Sequence, residues 1–304
     1  MDKTQSAIYD GPVIDAHHHL WDLSLGRHPW LTSGISAVPR MTSIAQNYGT
    51  DEYVRDLRCP QLVGSVYVES LWSGDPLEEI KWVNQLDRTG HEAARIVAAA
   101  PLGTEAASGL IREYADHPAI RGVRSILSWH PDPEKAFISN RHLSREHDWR
   151  RDVRLLLESD LHLEVMMYPY QAADVHDLAK TFPDLLIVIN HCGSPIDRDK
   201  DGMLRWKAAM KVLASTGNVF LKISNASIYD RDWDVVSLSD LTKECIRCFG
   251  AQRVMFGSDL PVSKLNMETE LLFETAGATV GGLSPDDQRS FFYETAKKIY
   301  RFNG

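Results

Sequence analysis

Apolar positions recur along the chain in two alternating rhythms. Short apolar runs rich in β-branched residues fall at 13–17, 62–68, 95–100, 120–127, 162–167, 185–189, 219–223 and 254–256, and each reads as a buried strand. Between them, apolar residues three and four apart predict helices near 77–89, 105–116, 148–159, 172–182, 203–216 and 234–249. A last helix near 285–300 opens on Ser284-Pro285-Asp286-Asp287, a capping serine with proline in the first turn. Eight strands alternating with helices predict a single-domain α/β chain folded as a (β/α)8 TIM barrel. The strands are continuously apolar, as strands covered on both faces are. An open doubly wound sheet would normally carry a glycine-rich phosphate turn, and neither G-x-G-x-x-G nor a P-loop occurs. No low-complexity linker interrupts the pattern, so one barrel domain is expected over 12–304, preceded by an extension over 1–11.

Two connections are long, 20–60 after the first strand and 128–147 after the fourth. Both leave the C-terminal ends of strands, the face that carries chemistry in barrels, and are expected to wall or cover a pocket there. Plain surface loops are the alternative.

Composition narrows the partners. The 304 residues are 43% hydrophobic and 25% charged, and 33 Lys and Arg against 42 Asp and Glu leave a net charge of −9. That sign disfavours nucleic acid and anionic membrane and leaves a small molecule as the expected partner. No apolar run approaches the ~18 residues of a membrane span. The first residues lack the basic-then-apolar order of a signal peptide, so the cytoplasm is expected. Among the four cysteines, Cys245 and Cys248 form a C-x-x-C within a predicted helix. No second such pair completes a metal site, so packing is the expected role. Oligomeric state is open.

The chemistry concentrates where strands end. The first strand continues as Asp15-Ala16-His17-His18-His19, and strand alternation places Asp15, His17 and His19 on one face and His18 on the other. Two imidazoles so placed hold a metal ion or a polarised water, unless they are structural histidines. The second strand ends in Glu69, the sixth in Asn190-His191 and the eighth in Gly257-Ser258-Asp259. In a parallel barrel these ends converge, so His17, His19, His191 and Asp259 are expected to meet. Arg124 and Lys222 lie inside apolar strands, where a charge must face a site or a partner. They suit a carboxylate- or hydroxyl-bearing substrate, or else form ion pairs with Asp15 or Glu69. Trp21, Trp72 and Trp129 follow strand ends, with Tyr67, Tyr168 and Tyr170 nearby. These rings stack on a substrate ring, as Trp72 and Tyr168 are expected to do, or pack loops onto the barrel.

The Asp-Ala-His-His-His-Leu-Trp, Asn-His-Cys-Gly-Ser-Pro and Met-Phe-Gly-Ser-Asp-Leu-Pro segments resemble those of the amidohydrolase superfamily. More narrowly, they resemble its amidohydrolase-related (amidohydrolase 2) branch of sugar-lactone and 2-pyrone-4,6-dicarboxylate lactonases, from about residue 12 onward. The resemblance implies a hydrolase in which His17, His19 and Asp259 ligate zinc or manganese. Asp259 would take a proton from the attacking water, and His191 would polarise the scissile carbonyl or hold the water. Binuclear relatives bridge their metals with a lysine or glutamate on strand four, and 120–127 contains neither. At most one divalent ion is therefore expected, and a metal-free site is left open. Glu69 would complete the ligand set or accept an imidazole N–H. Asn190 stands where the family pattern has Asp. The implied reaction is opening of a sugar-acid or dicarboxylate lactone. The alternative is metal-dependent non-oxidative decarboxylation of an aromatic or enoic acid, and a catalytically dead binding scaffold is a third.

Overall fold

A computed structural model describes residues 9–35, 40–86 and 94–302. Eight strands, β1 (Val13–His18), β2 (Leu62–Val68), β3 (Arg95–Ala99), β4 (Ile120–Ile126), β5 (His162–Met166), β6 (Ile187–Ile189), β7 (Val219–Ile223) and β8 (Val254–Phe256), form one parallel sheet in sequential order. The predicted (β/α)8 barrel is what the chain forms. Its helices are α1 (Pro29–Ser33), α2 (Thr50–Leu57), α3 (Pro76–Gln85), α4 (Ala107–Ala115), α5 (His147–Glu158), α6 (Ala172–Thr181), α7 (Lys200–Ala214), α8 (Val235–Phe249), α9 (Thr269–Val280), α10 (Pro285–Arg289) and α11 (Thr295–Tyr300). The end of the helix expected near 77–89 falls outside the described residues, as does most of the 1–11 extension. A π-helical turn at 290–294 joins α10 to α11, so the predicted last helix is present with an interruption. None of the described helices is long and apolar enough to cross a membrane.

Two apolar layers hold the barrel. Ile14, Ala16, Val66, Val188, Phe220 and Met255 fill its lumen, and Ile299 and Tyr300 of α11 plug the lower end. The larger layer lies between strands and helices. The sequence pattern missed α9 because both of its flanks are packed, against α2 and α8, which erases the apolar stripe that a one-sided helix shows.

The first strand departs from simple alternation. Asp15 pairs with Ser65 and His18 with Tyr67, so three steps along β1 match two along β2, a β-bulge. The extra residue turns His17 to the mouth of the barrel and leaves Asp15 on the outer side with His18. Asp15 accepts hydrogen bonds from Tyr53 of α2 (2.8 Å) and from Ser258 N (2.8 Å) and Oγ (2.6 Å). His18 stacks on the same tyrosine at 4.1 Å. The expectation that Asp15 shares a face with His17 and His19 is thus corrected. The bulge also requires Gly257, since a Cβ there would lie 2.8 Å from the His17 Cβ.

Candidate active site

The barrel closes at its mouth by two backbone bonds, Asp259 N to His17 O (2.7 Å) and His19 N to Leu260 O (2.8 Å). This seam brings together residues some 240 positions apart. Nε2 of His17, Nε2 of His19 and Oδ1 of Asp259 form a triangle with every edge 3.3 Å. His19 Nδ1 lies 2.8 Å from the Val68 carbonyl; a carbonyl only accepts, so Nδ1 carries the proton and Nε2 presents its lone pair to the triangle. Oδ1 of Asp259 is buried without a hydrogen bond, while Oδ2 accepts from Asn225 Nδ2 at 2.6 Å.

This donor set fits one divalent ion. Four-coordinate zinc has bond lengths of about 2.0–2.2 Å to nitrogen and oxygen, which sets donors about 3.3–3.5 Å apart at the tetrahedral angle. Three protein donors with a fourth side facing a cavity is the arrangement of catalytic rather than structural sites. In the metal-free protein, a proton on His17 Nε2 separates the same lone pairs. Burial pushes His17 well below the usual histidine range, and nearby Lys222 lowers it further. Burial works to raise Asp259, but His191, His19 and Asn225 outweigh it and hold the carboxyl below its ordinary value.

His191 stands beside the triangle, its ring 4.7 Å from that of His17. Ser224 Oγ accepts the His191 backbone N–H (3.3 Å) and lies 2.9 Å from Nδ1. The hydroxyl keeps its own proton to offer Nδ1, and in that tautomer the N–H of this imidazole is on Nε2. Burial depresses His191 to about 4, so the ring is neutral at pH 7. His191, Asn225 and Asp259 all have positive φ, 52°, 47° and 54°, a strained conformation for residues with side chains that clusters at functional sites.

Beneath the triangle lies a second buried cluster. Glu164 Oε2 accepts from Lys222 Nζ (2.7 Å) and Asn190 Nδ2 (2.8 Å), and Oε1 accepts from Tyr300 OH (2.6 Å). The Lys222 side chain is fully buried and does not line the cavity, so its expected substrate contact is corrected: its partner is Glu164. Asn190 is likewise a ligand of Glu164, and Ser224 orients His191 in its place. Arg124 does face the cavity and is paired with Glu69. The Glu69 oxygens are occupied by Arg124 and by Leu71 N (2.8 Å), so Glu69 stands apart from the triangle and bonds neither histidine.

The mouth opens into a cavity of about 500 Å3, lined by His19, Arg124, Tyr168, His191 and Asp259 among others. Both long connections contribute to it, Trp30 and Met41 from 20–60 and Lys135 and Phe137 from 128–147. Asp197 anchors the second wall through Lys135 (2.9 Å) and His130 (3.1 Å). Burial opposes its ionisation, but these bonds and that of Tyr170 hold it down at about 2. Trp72 does not reach the cavity. Its indole packs on His28 (5.4 Å) and Trp82 (5.9 Å) and pins the first wall, so the stacking role expected for it is corrected. Sequence reasoning missed Trp30, Ser224, Asn225 and Glu164. Ser224 and Asn225 follow β7 as polar residues at a strand end, the signal that had marked His191 and Asp259.

The first wall also rests on a buried acid. Glu79 Oε1 accepts from Tyr67 OH (2.8 Å), Ser70 N (2.8 Å) and Ser70 Oγ (3.0 Å), whereas Oε2 is buried without a partner. Burial, reinforced by Glu69, raises the carboxyl from 4.5 to about 7. A raised acid stabilises the fold fully below its unfolded value, and that contribution is lost as pH climbs from 4.5 through about 7. Glu79→Gln is neutral throughout, so it is expected to be more stable than the native protein at pH 8 by about 3 kcal/mol, at 1.36 kcal/mol per unit. At pH 4.5 the two should match. Urea unfolding at both pH values checks this, and parallel stability curves would contradict it.

A parallel barrel with histidines and an aspartate gathered at the C-terminal mouth has its polar side chains where barrel enzymes carry their active sites. The amidohydrolase family model matches residues 14–302, and the chain belongs to that family. It is an enzyme of the amidohydrolase superfamily. It is 30% identical over 296 residues to the uncharacterized protein y4mH of Sinorhizobium fredii, covering 96% of this chain and 99% of that one. It is 26% identical over 263 residues to an L-fucono-1,5-lactonase of Burkholderia multivorans, covering 83% of each. A crystal structure of an amidohydrolase from B. multivorans with bound zinc superposes with a TM-score of 0.79 at 24% identity. It covers 96% of this chain and 100% of that one.

Proposed function

We propose that the protein hydrolyses a small cyclic ester, a sugar-acid or dicarboxylate lactone. The observation that carries this reading is Asp259 Oδ1, a carboxylate oxygen without a hydrogen bond on a residue that lines the cavity beside a neutral His191. Asp259 takes a proton from a water as its oxygen bonds the lactone carbonyl carbon. His191, carrying its N–H on Nε2, donates to the carbonyl oxygen and stabilises the oxyanion. The tetrahedral intermediate then collapses, the ring C–O bond breaks, and Asp259 returns its proton to the departing alkoxide, giving a hydroxy acid. A single zinc or manganese ion, held by His17 Nε2, His19 Nε2 and Asp259 Oδ1, would supply Lewis-acid polarisation and a more acidic water. Arg124 offers a guanidinium to a substrate carboxylate or hydroxyl, and Tyr168 lines the same wall. The relative named as an L-fucono-1,5-lactonase supports a lactone over the alternative, decarboxylation of an aromatic or enoic acid.

A panel of sugar and dicarboxylate lactones read by a pH indicator, with parallel detection of CO2, tests the reading. Acid release without CO2 is expected, and His191→Ala is expected to lower kcat by about 10²–10³-fold, the effect of losing one oxyanion donor. Release of CO2 that ceases on chelation would replace the lactonase with the decarboxylase.

A further inference from the structure

Behind the C-terminal ends of β7 and β8, roofed by α8 and α9, lies a second cavity of about 50 Å3. Its lining carries four buried polar atoms with no partner in the protein: Asn225 Oδ1, Ser227 Oγ, Thr242 Oγ1 and Ser263 Oγ. Asn225 lines this chamber and the substrate cavity alike, and its Nδ2 donates to Asp259 Oδ2 at 2.6 Å. Asn225 therefore borders both cavities.

Buried hydroxyls and amide oxygens are nearly always satisfied, by protein or by ordered water. A site for water needs about 10–15 Å3 of room and two to four polar partners. The chamber has space for about three waters by that measure, and four unpartnered polar atoms on its lining residues to hold them. An apolar cavity of this size would stay dry. The amide orientation gives such a cluster a consequence. Turned by half a rotation, Asn225 would aim its carbonyl oxygen at the Asp259 carboxylate. A donor in the chamber that bonds Oδ1 selects the rotamer in which Nδ2 faces Asp259.

We propose that the chamber holds a structural water cluster bridging Ser227, Thr242 and Ser263 to Oδ1 of Asn225, and that this cluster fixes the amide that positions Asp259. Asn225, Thr242 and Ser227 are then positioning residues that act through Asp259. The catalytic half of the proposal rests on the hydrolase reading above. The structural half does not.

High-resolution crystals of the native protein and of a Thr242→Val/Ser227→Ala double variant test the structural half. Both substitutions remove hydroxyls without adding bulk. Native crystals are expected to show water within hydrogen-bond distance of Asn225 Oδ1. The double variant is expected to lose that water and to show the amide turned or withdrawn from Asp259. Its kcat, on the lactone of the panel opened fastest, is expected to fall about tenfold with KM unchanged. Thr242→Ser, which keeps the hydroxyl, is expected to retain both the water and kcat. A dry chamber in native crystals would overturn the proposal, as would a dry double variant in which Asn225 holds its 2.6 Å contact. An amide that moves while kcat stays at the native value would overturn the catalytic half. A native enzyme that opens none of the lactones would sink the hydrolase reading, and the chamber would still be decided by the crystals.

Discussion

Asp259→Asn is expected to lower kcat for lactone opening by about 10²–10⁴-fold, the range for loss of a general base. The substitution keeps the size and shape of the side chain. Asparagine tolerates positive φ as readily as aspartate, so the 54° backbone at this position is not further strained. The neighbours dictate how the new amide must sit. Asn225 Nδ2 is a donor, so the introduced carbonyl oxygen turns toward it and the introduced NH2 toward Nε2 of His17 and His19. A donor then occupies the corner where Oδ1 presented a lone pair. The same change therefore removes the proton acceptor and weakens any cation held by the triangle. Metal analysis of purified native and variant protein separates the two effects. Equal metal content with lost turnover assigns the defect to the base, whereas turnover within a fewfold of native would remove Asp259 from the reaction.

The barrel was legible because its strands are covered on both faces and its helices on one, which writes two different periods into the chain. Strand-end logic then located His17, His19, His191 and Asp259, since parallel strands deliver such positions to one mouth whatever their distance in sequence. Alternation failed at Asp15 because a bulge is a single extra residue with no signature beyond Gly257, and Gly257 is explained only once His17 is seen against it. The charges inside the strands were rightly expected to need partners, but the partner of Lys222 could not be named. Glu164 lies two strands away in the barrel, and pairing across a lumen depends on stagger that no local pattern records. Trp72 misled for a related reason. An indole after a strand end looks the same in sequence whether it faces substrate or, as here, Trp82 of α3.

Lys222→Met is expected to destabilise the fold by about 3–5 kcal/mol, the usual consequence of breaking a buried ion pair from one side. Both side chains are fully buried, so the orphaned Glu164 could not recover its hydration. Burial tends to raise the Glu164 carboxyl, but Lys222 and His162 hold it far below the usual range. Once Lys222 is gone, Tyr300, Asn190 and His162 are the acid's remaining side-chain partners among the described residues, and the carboxyl must take up a proton to remain inside. The penalty therefore belongs to the unpaired charge rather than to a lost attraction, and a compensating change should reveal it. Glu164→Gln added to Lys222→Met keeps a group that can bond Tyr300 and Asn190 while removing the charge. The double variant is expected to regain more than half of the lost stability in urea unfolding. Equal losses in the single and double variants would mean that the barrel floor depends on packing of the lysine stem against the Tyr300 ring, 5.4 Å from Nζ, and not on the pair. Because Nζ also lies 3.5 Å from His17 Nδ1, the floor and the triangle share one structural element.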